Sequence, residues 1–507
     1  MPFSNLNVVN TGKNGILDST TTDDIDQMFA DLANRQRIVL HFHGGLVPKP
    51  DGMAGALRLY QSCYEPTGAY PIFFVWESGF IDTIRHNLAE IAGESFFKTL
   101  MRWVLKFAIA KLDPSLGAKA ITTRLPDDID VEKELSLRNS NEEPFREVKA
   151  PPTPTELTDN ERRTFEETLA EDDAFANEVA AILKSVLPAP SVSGEKGIVT
   201  RAQTSTQTLM SPEVIYKLKT DAALALAEGK KGILLSAQLI KSAGAVLVRV
   251  IRRFVQRRDH GLYPTVMEEI LRELYIANVG EAIWNAMKQE TFDTFQNQPD
   301  TPVRGGWYFT RKLSALLRAG HRPEITLVGH SAGTIFINNF LGQVEKLRQD
   351  GAEPFPGDFA FKNLLLLAPA CTFAQFQPTI TKRRALFQNF RMFTMHDKEE
   401  SNDVLVRFVY TRSLLYLISG ILEKDADGSS AFDMPVLGME RYFIASADYS
   451  QPEIVAARQF LQAVSNSAEW SQTPEGAAPG LATRSTSHGG FDSDASTLAS
   501  LAYIITH

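Results

Sequence analysis

A chain of 507 residues exceeds what one compact core normally needs, so a core with a large insertion, or two to three domains, is expected. With 44% hydrophobic and 22% charged residues, a globular core is within reach and global disorder is not expected. The formal net charge of −9 argues against a general nucleic-acid binder, because phosphate binding wants a basic surface. Cys63 and Cys371 are too few for a disulfide framework, and Cys371, which follows an apolar run, reads as a buried small residue. The opening MPFSNLNVVNTGKNG lacks a basic region backed by an apolar stretch, and no run reaches the roughly 18 uninterrupted apolar residues of a membrane span. The expectation is a soluble, cytoplasmic protein.

In chain order, residues 1–22 are polar and read as a surface segment. Thr22, Asp23 and Asp24 signal the start of a short helix from Ile25 to Asn34. Arg37 to Phe42 has the pattern of a buried strand and runs into His43, Gly44 and Gly45. A helix over 52–63 and a second core strand over 70–76 follow, so the first 80 residues begin a doubly wound α/β sheet.

From 81 to 300 the strand signal disappears. Helical patterns cover 81–110, 159–187, 211–256 and 264–296, separated by Pro-, Ser- and charge-rich stretches near 124–158 and 188–210 that read as linkers. This segment is expected to be a helical cap inserted between residues 1–80 and 301–507 of one core. Within it, residues 232–258 are apolar but carry Lys241, Arg249, Arg252, Arg253, Arg257 and Arg258. Such a basic amphipathic helix suits peripheral membrane contact, or else burial in the cap with arginines completing its C-terminus. The core pattern resumes with a helix over 306–319 and strands at 325–328, 361–367 and 390–395. A final short strand is expected at Arg441 to Ala445.

Chemistry concentrates at Ile325–Phe340. A short apolar run leads to Gly329-His330-Ser331-Ala332-Gly333, and a helical pattern follows. Strand, sharp turn and helix around G-x-S-x-G put the serine hydroxyl at the apex of a strained turn, with glycines where a Cβ would collide. The following helix directs unpaired N–H groups toward the serine, where they can stabilise negative charge. A serine hydroxyl also needs a base and an acid to orient it. Of the histidines after Ser331, His507 is terminal, His396 ends a strand beside Asp397, and His488 lies in a glycine-flanked loop after the last core segment, where a base belongs. His488 is therefore the expected base. Asp397, directly after a strand, is the expected acid, with Asp403, Glu399 and Glu400 as alternatives; Asp403 could instead cap a helix starting at Val404. Ala332 and Gly45 or Leu46 would donate N–H groups to an oxyanion, supported by His43, Gly44 and His330.

The set GHSAG, HFHGGL, strand-then-HDKEE and SHGGFD resembles the α/β-hydrolase superfamily in its serine esterase and lipase-like branch, over residues 35–80 and 300–507. The resemblance implies an eight-stranded, mostly parallel sheet, a Ser–His–acid triad, and no metal or organic cofactor; the expected reaction is cleavage of a lipid or other small-molecule carboxylic ester. No Cys/His metal spacing, Walker motif or dinucleotide fingerprint stands against it. Alternatives with the same core are a thioesterase, an amidase, or an interaction protein on a hydrolase scaffold.

Overall fold

The computed structural model describes residues 2–45, 48–76, 81–112, 131, 133–135, 144–146, 148, 153–186, 208–227, 233–296, 302–424, 433–445 and 447–507. Seven strands among them form one all-parallel sheet: β1 (Val8–Thr11), β2 (Arg37–Phe42), β3 (Tyr70–Trp76), β4 (Glu324–His330), β5 (Phe361–Leu367), β6 (Phe387–Met395) and β7 (Ala468–Ser471). Their order is β1-β3-β2-β4-β5-β6-β7. The expected mostly parallel sheet is thus wholly parallel, with seven rather than eight strands among the described residues.

Alternation along each strand builds two cores. Ile38, Leu40 and Phe42 of β2, Ile72 and Phe74 of β3, and Leu364 and Leu366 of β5 face one apolar cluster. Val39, Phe73, Val75, Val328 and Leu365 face the other. Strands buried on both faces need apolar residues at nearly every position, which is why β2, β3 and β5 read so clearly from sequence. The second cluster is covered by helix α2 (Lys49–Leu59), the turn Tyr60–Tyr64 and the last helix, Ala495–Thr506.

Several boundaries differ from expectation. β1 lies within the segment read as surface; at four residues, two of them polar, it is too short to show a period. The polar groups of this region are absorbed locally, with Thr20 Oγ accepting from Asn10 N and Asn7 Nδ2 donating to Pro71 O. The first helix, α1 (Thr22–Leu32), is capped by Thr21, one residue earlier than expected. Arg441–Ile444 is a single helical turn, not a strand, and the last strand is the edge segment Ala468–Ser471. Asp403 caps no helix at Val404; it closes the C-terminus of Asp397–Asn402.

Every regular element in the described part of 81–300 is a helix. Asp159–Glu171 and Asp173–Val186 replace the single expected helix, broken at Asp172. Most of the two linkers lies outside the described residues. The first apolar cluster runs from the sheet into this segment without a break, through Ile84, Leu100, Val104, Val246, Val250 and Trp284. The basic helix Ile233–Val255 is central to the insertion: Leu239, Ala243, Val246, Leu247, Val250 and Ile251 are buried. Two of its arginines, Arg249 and Arg253, pair inward, as the buried-cap alternative expects, while Arg252 stays half exposed beside Glu156. Arg253, with no exposed side-chain surface, meets Glu268 at 2.7 Å and Glu269 at 3.1 Å; Arg249 meets Glu269 and Glu273, both at 2.8 Å. Among the described residues no helix is long and apolar enough to cross a membrane.

Strand order positions the site. From β2 the chain winds outward to β3, and after the insertion it resumes on the other side of β2 and winds the opposite way through β5, β6 and β7. The carboxyl ends of β2 and β4 therefore border a topological switch point, where open parallel sheets bind ligands. The two ends close on each other at Gly333, where a Cβ would stand 2.1 Å from Phe42 O and 2.9 Å from His43 O. Gly333→Ala is expected to cost about 3 kcal/mol in urea unfolding, because the clash is with backbone. Gly351→Ala, where a Cβ meets nothing within 4 Å, should stay within about 0.5 kcal/mol. Equal effects of the two would remove this contact as the reason for the glycine.

Candidate active site

Ser331 follows β4 with φ of +52°, a left-handed conformation that costs a non-glycine residue on the order of 1–3 kcal/mol. Two hydrogen bonds hold it there: Ser331 N donates to Leu367 O at 2.8 Å, and Ala370 N donates to Ser331 O at 3.1 Å. The end of β5 thus fixes the turn, and the helix Gly333–Arg348 leads away from it. Gly329 lets that helix close, since a Cβ there would sit 2.7 Å from Ile337 Cδ1.

His488 arrives from the loop after β7. Its Nε2 lies 2.8 Å from Ser331 Oγ, in a buried contact. Both main-chain groups of His488 are clamped by side chains. His330 Nε2 donates to His488 O at 3.0 Å, and His488 N donates to Asp403 Oδ2 at 2.7 Å. The expected nucleophile and base, 157 residues apart, therefore meet at hydrogen-bond distance.

The acid requires a correction. Asp397 does not line the cleft around Ser331. Its Oδ1 accepts from Tyr416 Oη at 2.8 Å, in a separate depression shared with His260, Arg412 and Arg441. The strand β6 ends at Met395, and the helical turn Asp397–Asn402 carries the chain onward, so the carboxylate delivered to His488 is the one after that turn, Asp403. Glu400 is fully buried and accepts from Ser413 Oγ, while its Oε2 has no partner among the described residues. Burial holds its carboxyl well above the usual carboxylate range. Glu399 lines no part of the cleft.

Asp403 engages His488 through the main chain; His488 Nδ1 is buried without a partner among the described residues. Burial, opposed by the His488 N–H and by Arg85, raises the Asp403 pKa. Burial, with His330 beside it, pushes the His488 imidazole down to about 3. The ring is thus neutral at ordinary pH and able to accept a proton.

The loop after β2 faces the serine. Gly44 and Gly45 line the same cleft, and a Cβ on Gly45 would fall 2.6 Å from Ala332 Cβ, so the two expected N–H donors are neighbours. Leu46 lies outside the described residues. His43 stabilises this loop internally: Nδ1 donates to Gly44 O at 2.6 Å and Nε2 accepts from Trp76 N at 3.2 Å. Sequence reasoning gave His330 and His43 only supporting roles without a mechanism. It did not anticipate that one would grip the His488 carbonyl and the other the glycine loop. Both cysteines are buried, and burial pushes the Cys63 thiol up to about 12, away from nucleophilic use.

Two measurements follow from this geometry. Asp403→Asn is expected to lower kcat by about 100-fold or more while Asp397→Asn stays near the parent; the reverse order would return the acid to Asp397. Because burial lowers the His488 pKa, the neutral base persists as pH falls, so the acid limb of kcat/KM should lie below the 6.5 of an ordinary histidine. A midpoint at or above that value would mean that burial does not govern the base.

In comparisons with protein-family models, curated proteins and solved structures, nothing matches the chain.

Proposed function

We propose that the protein is a serine hydrolase of the α/β-hydrolase type that cleaves carboxylic esters through an acyl-enzyme on Ser331. The observation that carries this reading is the 2.8 Å contact between Ser331 Oγ and His488 Nε2 at a left-handed strand-to-helix turn. Strain of this kind persists where function needs it, and a serine hydroxyl aimed at an unprotonated imidazole nitrogen is an activated nucleophile.

His488 Nε2 removes the hydroxyl proton as Ser331 Oγ bonds to the ester carbonyl carbon. Negative charge moves to the carbonyl oxygen, where the N–H groups of Ala332 and Gly45 receive it. Collapse breaks the bond to the alkoxy oxygen, which leaves with the proton from His488. Water then repeats the sequence on the acyl-enzyme: His488 takes its proton, the hydroxyl adds, and Ser331 Oγ leaves reprotonated as the acid departs. Asp403, which accepts from the His488 main-chain N–H, holds the base in place in both halves. The surrounding cleft of ≈ 620 Å³ is within the range of small-molecule sites.

A fluorophosphonate probe and a p-nitrophenyl ester test the reading together. The parent should be labelled and should hydrolyse the ester, and Ser331→Ala should lose both while keeping its circular dichroism spectrum. Undiminished labelling or turnover in Ser331→Ala would assign the nucleophile elsewhere.

A further inference from the structure

The cleft does not stop at the nucleophile. It extends over the sheet face carrying Phe73, Val75 and His41, beneath Gly52, Gly55 and Ala56 of α2. Positions i, i+3 and i+4 place those three small residues on one helix face. At Gly52 helix and sheet touch, since a Cβ there would meet His43 Nε2 and Val75 Cγ1, both at 3.4 Å. At Gly55 the space is open: a Cβ meets only Arg58 Nη2, at 3.9 Å. His41 marks the depth. It pairs in register with Val328, three residues before Ser331, so the hollow runs about 10 Å back along the sheet from the level of Ser331. Its Nδ1 lies 2.8 Å from Tyr64 Oη, and the ring is almost wholly buried.

We infer that this hollow beneath α2 receives the acyl arm of the ester, as an unbranched apolar chain of short to medium length; the inference rests on the ester-hydrolase reading above. His488 must reach the leaving oxygen to protonate it, which directs the alcohol along the imidazole toward the cleft mouth. The acyl substituent then occupies the other arm, over Phe73 and Val75. Those side chains favour methylenes, at about 0.8 kcal/mol for each one buried. The neutral His41 imidazole, held by the Tyr64 phenol behind it, closes the far end against longer chains. Helix α2 carries glycines where a larger residue would fill the hollow, although glycine weakens a helix interior.

The test is kcat/KM for p-nitrophenyl acetate, butanoate, octanoate and hexadecanoate with the full chain. The expected maximum is at butanoate or octanoate, at least tenfold above both acetate and hexadecanoate. Gly55→Leu should lower the octanoate-to-acetate ratio at least tenfold and Gly55→Ala should lower it less, with thermal melts showing that both variants fold. An unchanged ratio in folded Gly55→Leu overturns the inference. So does a response seen instead across acetates of increasing alcohol length. A parent that hydrolyses no ester and shows no Ser331 labelling fails at the underlying reading and takes this inference with it. A parent that is active but indifferent to Gly55 fails at the hollow alone.

Discussion

The site depends on one close approach, between the carbonyl end of β2 and the start of the helix after β4. Gly333 stands against Phe42 O with no room for a side chain. That contact draws the His43–Gly45 loop over Ser331 and sets Gly45 beside Ala332. A wider separation would leave two N–H groups too far apart to share one oxygen, whatever the state of the imidazole. The strain at Ser331 is retained by the same crowding. Its N–H and C=O are bonded to Leu367 and Ala370, so relaxing φ would break hydrogen bonds on the neighbouring strand end.

The insertion bears on the same site through the segment that carries Asp403. Leu405 N donates to Arg412 O at 2.9 Å, and Arg412 Nε donates to His260 O at 2.9 Å. Tyr410 Oη donates to Glu268 at 2.6 Å, and Glu268 also receives Arg253 and His260. Residues 403–413 are therefore held at one end by His488 and along their length by the buried charges of the insertion. Losing one partner from such a buried set leaves an uncompensated charge, whereas replacing the whole set by apolar residues need not destabilise. The network thus gives the acid-bearing loop a fixed position more surely than it adds stability.

Legibility in the sequence followed burial and backbone constraint. β2 to β5 could be read because strands covered on both faces must be apolar, and the Gly329–Gly333 turn because close packing leaves only glycine at two positions. β1 and β7 could not, since four-residue edge strands with polar members show no period. Asp397 was favoured because it follows a strand directly. The chain then makes one helical turn, which six residues of HDKEESND cannot announce when helix and loop patterns are equally consistent with them. That turn carries Asp397 to Tyr416 and brings Asp403 to His488. A one-turn displacement moves a side chain between neighbouring depressions without changing the composition that sequence reasoning relies on.

Four imidazoles crowd the strand ends, and their hydrogen bonds separate their roles. His43 has both ring nitrogens committed, one to Gly44 O and one to Trp76 N. His330 spends Nε2 on the His488 carbonyl, and His41 Nδ1 faces Tyr64. Only His488 presents a ring nitrogen to Ser331. Burial, aided by mutual repulsion, keeps His41 down to about 3 and His43 down to about 4. In the proposed reading this matters for the one ring that gains a proton. A positive charge on His488 would be opposed by positive charge on its neighbours, and His41 and His43 are held neutral by burial. In the proposed ester-hydrolase reading, the burial that keeps His488 unprotonated at rest also keeps positive charge on His41 and His43 away from it when it takes up a proton.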